Sequence, residues 1–186
     1  MARVPPADPA TFTGSIAESF KGPAGRTQVF GYLALAPTCM PAFSQLTRAL
    51  FTSLELPEID RELLVLAVAH LQGGEYEWVQ HVAILESMGA PAATVAAIAA
   101  DDWENPVFTP AQRALLRFGR ESVRHVQVAD AVFAEAARHY SPRQIVEAIY
   151  TIGAYMFMAR LTQGLQVGID PPQGPKVLAA AKAAQA

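Results

Sequence analysis

From Ile59 to Gln72 the chain carries Leu63, Leu64, Val65, Leu66, Val68, Ala69 and Leu71, apolar nearly all the way round a helix. A helix without a polar face has to be buried on most of its circumference, so other helices must pack around it. Pro57, suited to a first helical turn, opens this segment. Gly73-Gly74 closes it, because glycine tolerates the left-handed conformation in which helices stop. Helical sequence resumes at Glu75 and runs to Met88, with Gly89 as its stop. The pattern predicts a buried helical hairpin at the centre of an all-α fold.

The flanks supply the covering helices. Thr27–Leu35 and Pro41–Ser53 read as two early helices, the second with Phe43, Leu46, Leu50 and Phe51 at helical spacing. Pro91–Ala100 is a short alanine-rich helix, and Ala129–His139 another. Two further starts are written as capping boxes: Thr109-Pro110-Ala111-Gln112 and Ser141-Pro142-Arg143-Gln144. Each places a hydroxyl at the cap, proline at the first helical position and glutamine at the third. The second opens a long apolar helix over Ile145–Gln166, and no alternating strand pattern occurs. Residues 1–25, rich in Pro, Gly and Thr, are expected to form an extended arm that wraps a neighbouring subunit. Residues 26–170 form a single helical domain, and 171–186 a tail that opens on helix breakers and ends as a frayed alanine-lysine helix.

Composition narrows the function classes. Only 17% of the 186 residues are charged while 52% are hydrophobic, which predicts apolar surface buried between subunits and hence a homo-oligomer. A net charge of -3, with 14 Lys and Arg scattered along the chain, offers no basic stripe for nucleic acid. The apolar run Ala148–Ala159 is far short of the roughly twenty residues a membrane span needs, so no membrane partner is expected. From a proline-rich start without a basic, apolar leader and a lone cysteine, Cys39, the expected location is the cytoplasm. That single cysteine also rules out a dithiol centre or a thiolate zinc cage within the chain.

Functional side chains concentrate in one stretch, Gly73 to His81, preceded by Glu62 and His70 on the earlier helix. Glu77 and His81 are four apart and share a helix face, where carboxylate and imidazole can be tuned for proton transfer. Trp78 and Tyr76 stand beside them as candidate pocket walls, and His70 as a second candidate substrate contact. Plainer roles compete. An acid such as Glu62 is favoured in a first helical turn by the helix dipole, Glu77 with His81 can be a solvated pair, and Trp78 can simply pack. Glu77, His81 and His70 could also ligate a metal, but the third ligand is unfixed, so no metal is expected, and without a Gly-x-Gly-x-x-Gly run or a phosphate-cradling loop no nucleotide cofactor is expected either. His125 and His139, beside arginines near helix ends, read as surface residues. If the hairpin were two parallel rails turning at Gly74, His81 would stand level with Ala67, leaving Glu62 roughly 7 to 8 Å away along the axis.

The spacing from Glu62 to His81 resembles that of the carboxymuconolactone decarboxylase and alkyl-hydroperoxidase-like (AhpD-like) superfamily. Its redox members carry Glu, eleven residues, Cys-x-x-Cys, three residues and His. Here the outer Glu62 and His81 are kept, while Gly74 and Glu77 occupy the two cysteine positions. The likeness extends over Pro57–Gly89, the Thr109-capped helix and Val128–Asp170. It implies a single-domain helical fold built around a hairpin, assembled as trimers or hexamers with sites near subunit contacts. In thiol members the Glu and His relay protons to a peroxidatic cysteine, a step with no nucleophile here. Decarboxylase members need no cofactor and act on a carboxylated lactone. The expectation is therefore acid/base chemistry by Glu62, Glu77 and His81 on a small carboxylated or lactone substrate, a decarboxylation or related lyase or isomerase step. The alternative is a non-catalytic ligand-binding oligomer on the same fold.

Overall fold

The structure, a computed structural model, describes residues 2–184 apart from the side chains of Ser15 and Ser19, and among them every regular element is helical. The order is α1 (Gly14–Ser19), α2 (Gln28–Leu33), α3 (Met40–Thr52), α4 (Glu58–Gln72), α5 (Glu75–Ser87), α6 (Ala92–Ala99), α7 (Pro110–His125), α8 (Asp130–Ala137), α9 (Pro142–Leu165) and α10 (Gly174–Ala183). None of the described helices is long and apolar enough to cross a membrane.

The all-round apolarity of α4 has its cause in two cores. Leu64, Val65 and Val68 face a cluster with Leu115 and Phe118 of α7 and Ile145, Ala148 and Ile152 of α9. Leu63, Leu66 and Ala67 face a second cluster with Leu85 of α5, Ile98 of α6, and Trp103 and Phe108 of the following loop. Water reaches neither side, and each Leu buried to this degree stabilises the fold by about 1.5–3 kcal/mol relative to exposure.

Local chemistry sets the boundaries of these helices. Both capping boxes form: the Thr109 hydroxyl accepts from the Gln112 N–H while the Gln112 side chain accepts from the Thr109 N–H, and Ser141 with Gln144 repeats the arrangement. Gly73 ends α4 at φ +64°, the left-handed conformation a glycine adopts without Cβ strain, and Trp78 of α5 already donates to the Gly74 carbonyl. The hairpin turn therefore occupies only two residues. A buried polar knot secures the start of α4: Asp60 accepts from the Tyr140 hydroxyl at 2.9 Å and from Gln112 at 2.9 Å.

Two flanking segments depart from expectation. Residues 2–25 hold a helix, α1, and lie against their own chain, with the Arg3 N–H donating to Leu165 O and the Ala7 N–H to Gly31 O. The Phe12 and Phe20 rings stack at 5.4 Å, and Phe20 meets Phe30 edge-on, so apolar burial rather than extension organises the segment. The tail is likewise not a loose appendage. α10 packs on α3 and α5, and Gln80 of α5 fastens its start by accepting from the Gln173 and Gly174 N–H groups.

Candidate active site

Near the middle of α5, His81 turns inward and meets Glu62 of α4 directly, Nδ1 to Oε2 at 2.6 Å. Parallel rails would have kept them apart along the axis, yet the two side chains close the gap within one chain, without a neighbouring subunit. Glu62 has no exposed surface. Its other oxygen accepts from Arg61 Nε at 2.8 Å, and Arg61 in turn donates to the carbonyls of Leu50 and Phe51. Burial alone would push the Glu62 carboxyl up, but His81 and Arg61 outweigh it and hold the pKa below the ordinary carboxylate range.

An ionised carboxylate only accepts hydrogen bonds, so the proton of this contact resides on His81 Nδ1. In the neutral ring Nε2 then carries the lone pair, and among the described residues nothing hydrogen-bonds to it. His81 also lines a cavity of about 150 Å³, enough for a benzene-sized molecule. Its walls are mostly apolar, including Phe30, Leu33, Phe43, Phe51, Ile84 and Met158. The Phe51 ring lies parallel to that of His81 at 6.1 Å and takes the Arg61 guanidinium over its face at 5.3 Å, so one aromatic side chain braces both partners of Glu62.

Glu77 shares the cavity wall and is 3% exposed. Thr162 of α9 donates to its carboxylate oxygens at 3.1 Å. Burial dominates its electrostatics and pushes this carboxyl up, against the opposing effects of its own backbone N–H, Thr162 and His81. Two glutamates on neighbouring helices are thus driven in opposite directions, Glu62 towards the anion and Glu77 towards the acid. Gly74 makes room for this: a Cβ there would lie 2.8 Å from Glu77 Oε2 and 3.3 Å from both Ala69 Cα and Ala159 Cβ. The Glu77 carboxylate occupies the space that a side chain at position 74 would use.

The remaining candidates divide. Tyr76 lines the cavity, but its hydroxyl donates to Asp170 at 2.7 Å, an oxygen that also accepts from the Gln28 N–H, so it ties the chain around the cavity mouth. His70 and Trp78 do not reach the cavity. They line a separate surface depression beside Gly73 and Glu75, where His70 faces Asp101 at 3.4 Å and packs against the Trp78 and Trp103 rings. Trp78 is offset from His81 by about 60° round α5 and Glu77 by about 40° in the opposite direction, so with His81 turned towards α4 only Glu77 of the two shares the cavity wall and the Trp78 ring is carried out to the surface depression. Glu62 lies behind His81 rather than on the cavity wall, so its contact with the cavity is through the imidazole. Among the described residues no three or more His, Cys, Asp or Glu side chains gather as metal ligands do, and Cys39 is exposed away from the cavity.

Residues 37–121, which hold Glu62, Glu77 and His81, match the profile of the carboxymuconolactone decarboxylase family. This stretch belongs to that family. No curated protein matches the sequence. Among solved structures, an uncharacterized peroxidase-related protein with an alkylhydroperoxidase AhpD core from Ralstonia eutropha is similar at TM-score 0.81 and 20% identity, covering 93% of this chain and 94% of that one. An uncharacterized peroxidase-related protein from Silicibacter gives 0.78 at 16% identity, over 94% and 93% of the two chains. A variant of the debrominase Bmp8 in complex with 2,3,4-tribromopyrrole gives 0.76 at 16% identity, over 97% and 98%. These likenesses are of fold. The site also holds two residues the spacing did not single out. Arg61 had a signal, since a cation near the start of a helix opposes the dipole there and needs another reason to be present. Tyr155 of α9 had none; its ring meets His81 edge-on at 4.8 Å through helix packing alone.

Proposed function

We propose that this protein is a cytoplasmic, homo-oligomeric enzyme performing cofactor-independent acid/base chemistry on a small carboxylated or lactone ring, a decarboxylation or a related lyase or isomerase step. The observation that carries it is the Glu62–His81 contact beside the cavity: an ionised carboxylate fixes the tautomer, and the basic nitrogen is left for an occupant. In such a step Nε2 of His81 takes a proton from carbon next to a carbonyl, and the C–H electron pair moves into the new C=C bond as the carbonyl electrons move to oxygen. Glu77, its carboxyl pushed towards the neutral form, returns a proton to carbon, and transfer from His81 to Glu77 resets the pair. For decarboxylation the departing carbon dioxide leaves the same electron pair, and only the proton return is needed. A protein of the same fold is a debrominase bound to 2,3,4-tribromopyrrole, which agrees with a one-ring occupant. The exposed apolar side chains Val146, Ile149, Tyr150 and Phe157 along α9 support the oligomer.

The test is solvent deuterium wash-in at the α-carbon of small ring lactones, followed by NMR. The expected result is exchange that His81→Ala slows at least about a hundredfold. Folded His81→Ala and Glu77→Gln variants that exchange at the parent rate would refute the proposal.

A further inference from the structure

Buried tyrosine hydroxyls normally find a partner. Tyr76 donates to Asp170 at 2.7 Å and Tyr140 to Asp60 at 2.9 Å. Tyr155 differs. It is buried in the middle of α9 against His81 and lines the same cavity, yet no described residue hydrogen-bonds its hydroxyl. A phenol held there without a protein partner is a donor awaiting an acceptor on whatever enters. Burial and the nearby Glu62 and Glu77 keep it protonated by pushing its pKa well above the ordinary tyrosine value.

The charge of the wall limits what that acceptor belongs to. No Lys or Arg lines the cavity among the described residues. The nearest guanidinium, Arg61, is spent on Glu62 and two backbone carbonyls, and His81, when protonated, already faces the Glu62 carboxylate. An anionic group would enter an apolar space beside Glu77 without a counter-charge, which is costly. A neutral carbonyl carries no such penalty and supplies the acceptor the phenol lacks.

We propose that the cavity takes an uncharged single-ring carbonyl compound, a lactone or cyclic ketone, whose oxygen accepts a hydrogen bond from Tyr155, and that ring carboxylates are poor occupants. This rests on the acid/base reading above and narrows it to the lactone class: with the oxygen held by Tyr155, the charge that gathers on it as His81 removes the neighbouring proton is met by a donor already in place.

The experiment titrates the parent protein and Tyr155→Phe with cyclohexanone and with cyclohexanecarboxylate near neutral pH, following protein NMR shifts and the ligand-induced rise in Tm. Cyclohexanone binds saturably with shifts around His81, and Tyr155→Phe weakens it about three- to tenfold, the loss of one neutral hydrogen bond. The carboxylate binds the parent more than about tenfold less tightly than the ketone. Because the hydroxyl has no protein partner, Tyr155→Phe without ligand keeps the parent Tm, whereas a structural hydroxyl would lower it. Absence of saturable ketone binding, equal affinity for the carboxylate, indifference of ketone affinity to Tyr155→Phe, or a lowered Tm in the free variant each overturns the proposal. None of those results touches proton transfer by His81. Conversely, unchanged wash-in by His81→Ala alongside the expected binding pattern sinks the acid/base reading and leaves the occupant class standing.

Discussion

Glu62→Gln isolates the residue on which the site is built. Glu62 has no exposed surface, Arg61 beside it is 2% exposed, and the pair is held at 2.8 Å, with His81 on the other carboxylate oxygen at 2.6 Å. The amide keeps the shape but removes the charge, leaving a guanidinium buried without its counter-ion. Removing one partner of a buried pair costs about 3–5 kcal/mol. At about 2–4 °C per kcal/mol for a chain of this size, Tm should fall by about 6–20 °C. The effect has a definite pH signature. The folded pKa of Glu62 is depressed below 4.5, so its contribution is fully present above that value and is lost as pH falls through the folded pKa. The gap between parent and variant, read from urea unfolding followed by circular dichroism, should therefore be constant near neutrality and narrow on acidification below about pH 4.5. Function should suffer separately. An amide N–H turned towards Nδ1 selects the tautomer with its proton on Nε2, and losing the correct tautomer costs about 10³–10⁴-fold in rate where an imidazole is the base. A gap under about 1 kcal/mol, or one that does not shrink in acid, would show that Glu62 is not the ionised partner of Arg61 and His81.

Two other substitutions probe the neighbouring positions. Glu77→Gln should raise Tm near neutral pH, because a carboxyl whose folded pKa is raised destabilises the fold increasingly as pH rises above its unfolded value of 4.5 until the folded pKa is passed; the gain should vanish in acid, and thermal melts across pH would expose an opposite trend. Gly74→Ala should cost about 1–3 kcal/mol by pressing on the Glu77 carboxylate, and part of that cost should disappear in a Glu77→Ala background, so a double-mutant cycle that comes out additive would contradict the shared space.

Much of the fold is written locally. The all-round apolarity of Leu63 to Leu71, the Gly73-Gly74 turn and the Thr109 and Ser141 capping boxes depend on side chains within a few residues of each other, and the structure places those helix ends within one or two residues of expectation. The site is less local. Glu62 and His81 could be paired by spacing, but not brought into contact, because axial rise says nothing of how obliquely two helices cross. His70 and Trp78, read along the sequence as substrate contacts beside the catalytic candidate His81, lie outside the cavity.

The sequence by itself determined that the chain is helical, that α4 is its centre, that one cysteine cannot sustain a dithiol cycle, and where carboxylate and imidazole are concentrated. Those properties follow from period, capping chemistry and residue identity. Only the tertiary structure decided that Glu62 stands behind His81, that Tyr155 arrives from α9 with its hydroxyl unclaimed, and that α2, α3 and α10 enclose a small apolar cavity over them. The physical reason is that burial and helix crossing are set by the sum of many weak apolar contacts between distant segments, and no short stretch of sequence carries that sum.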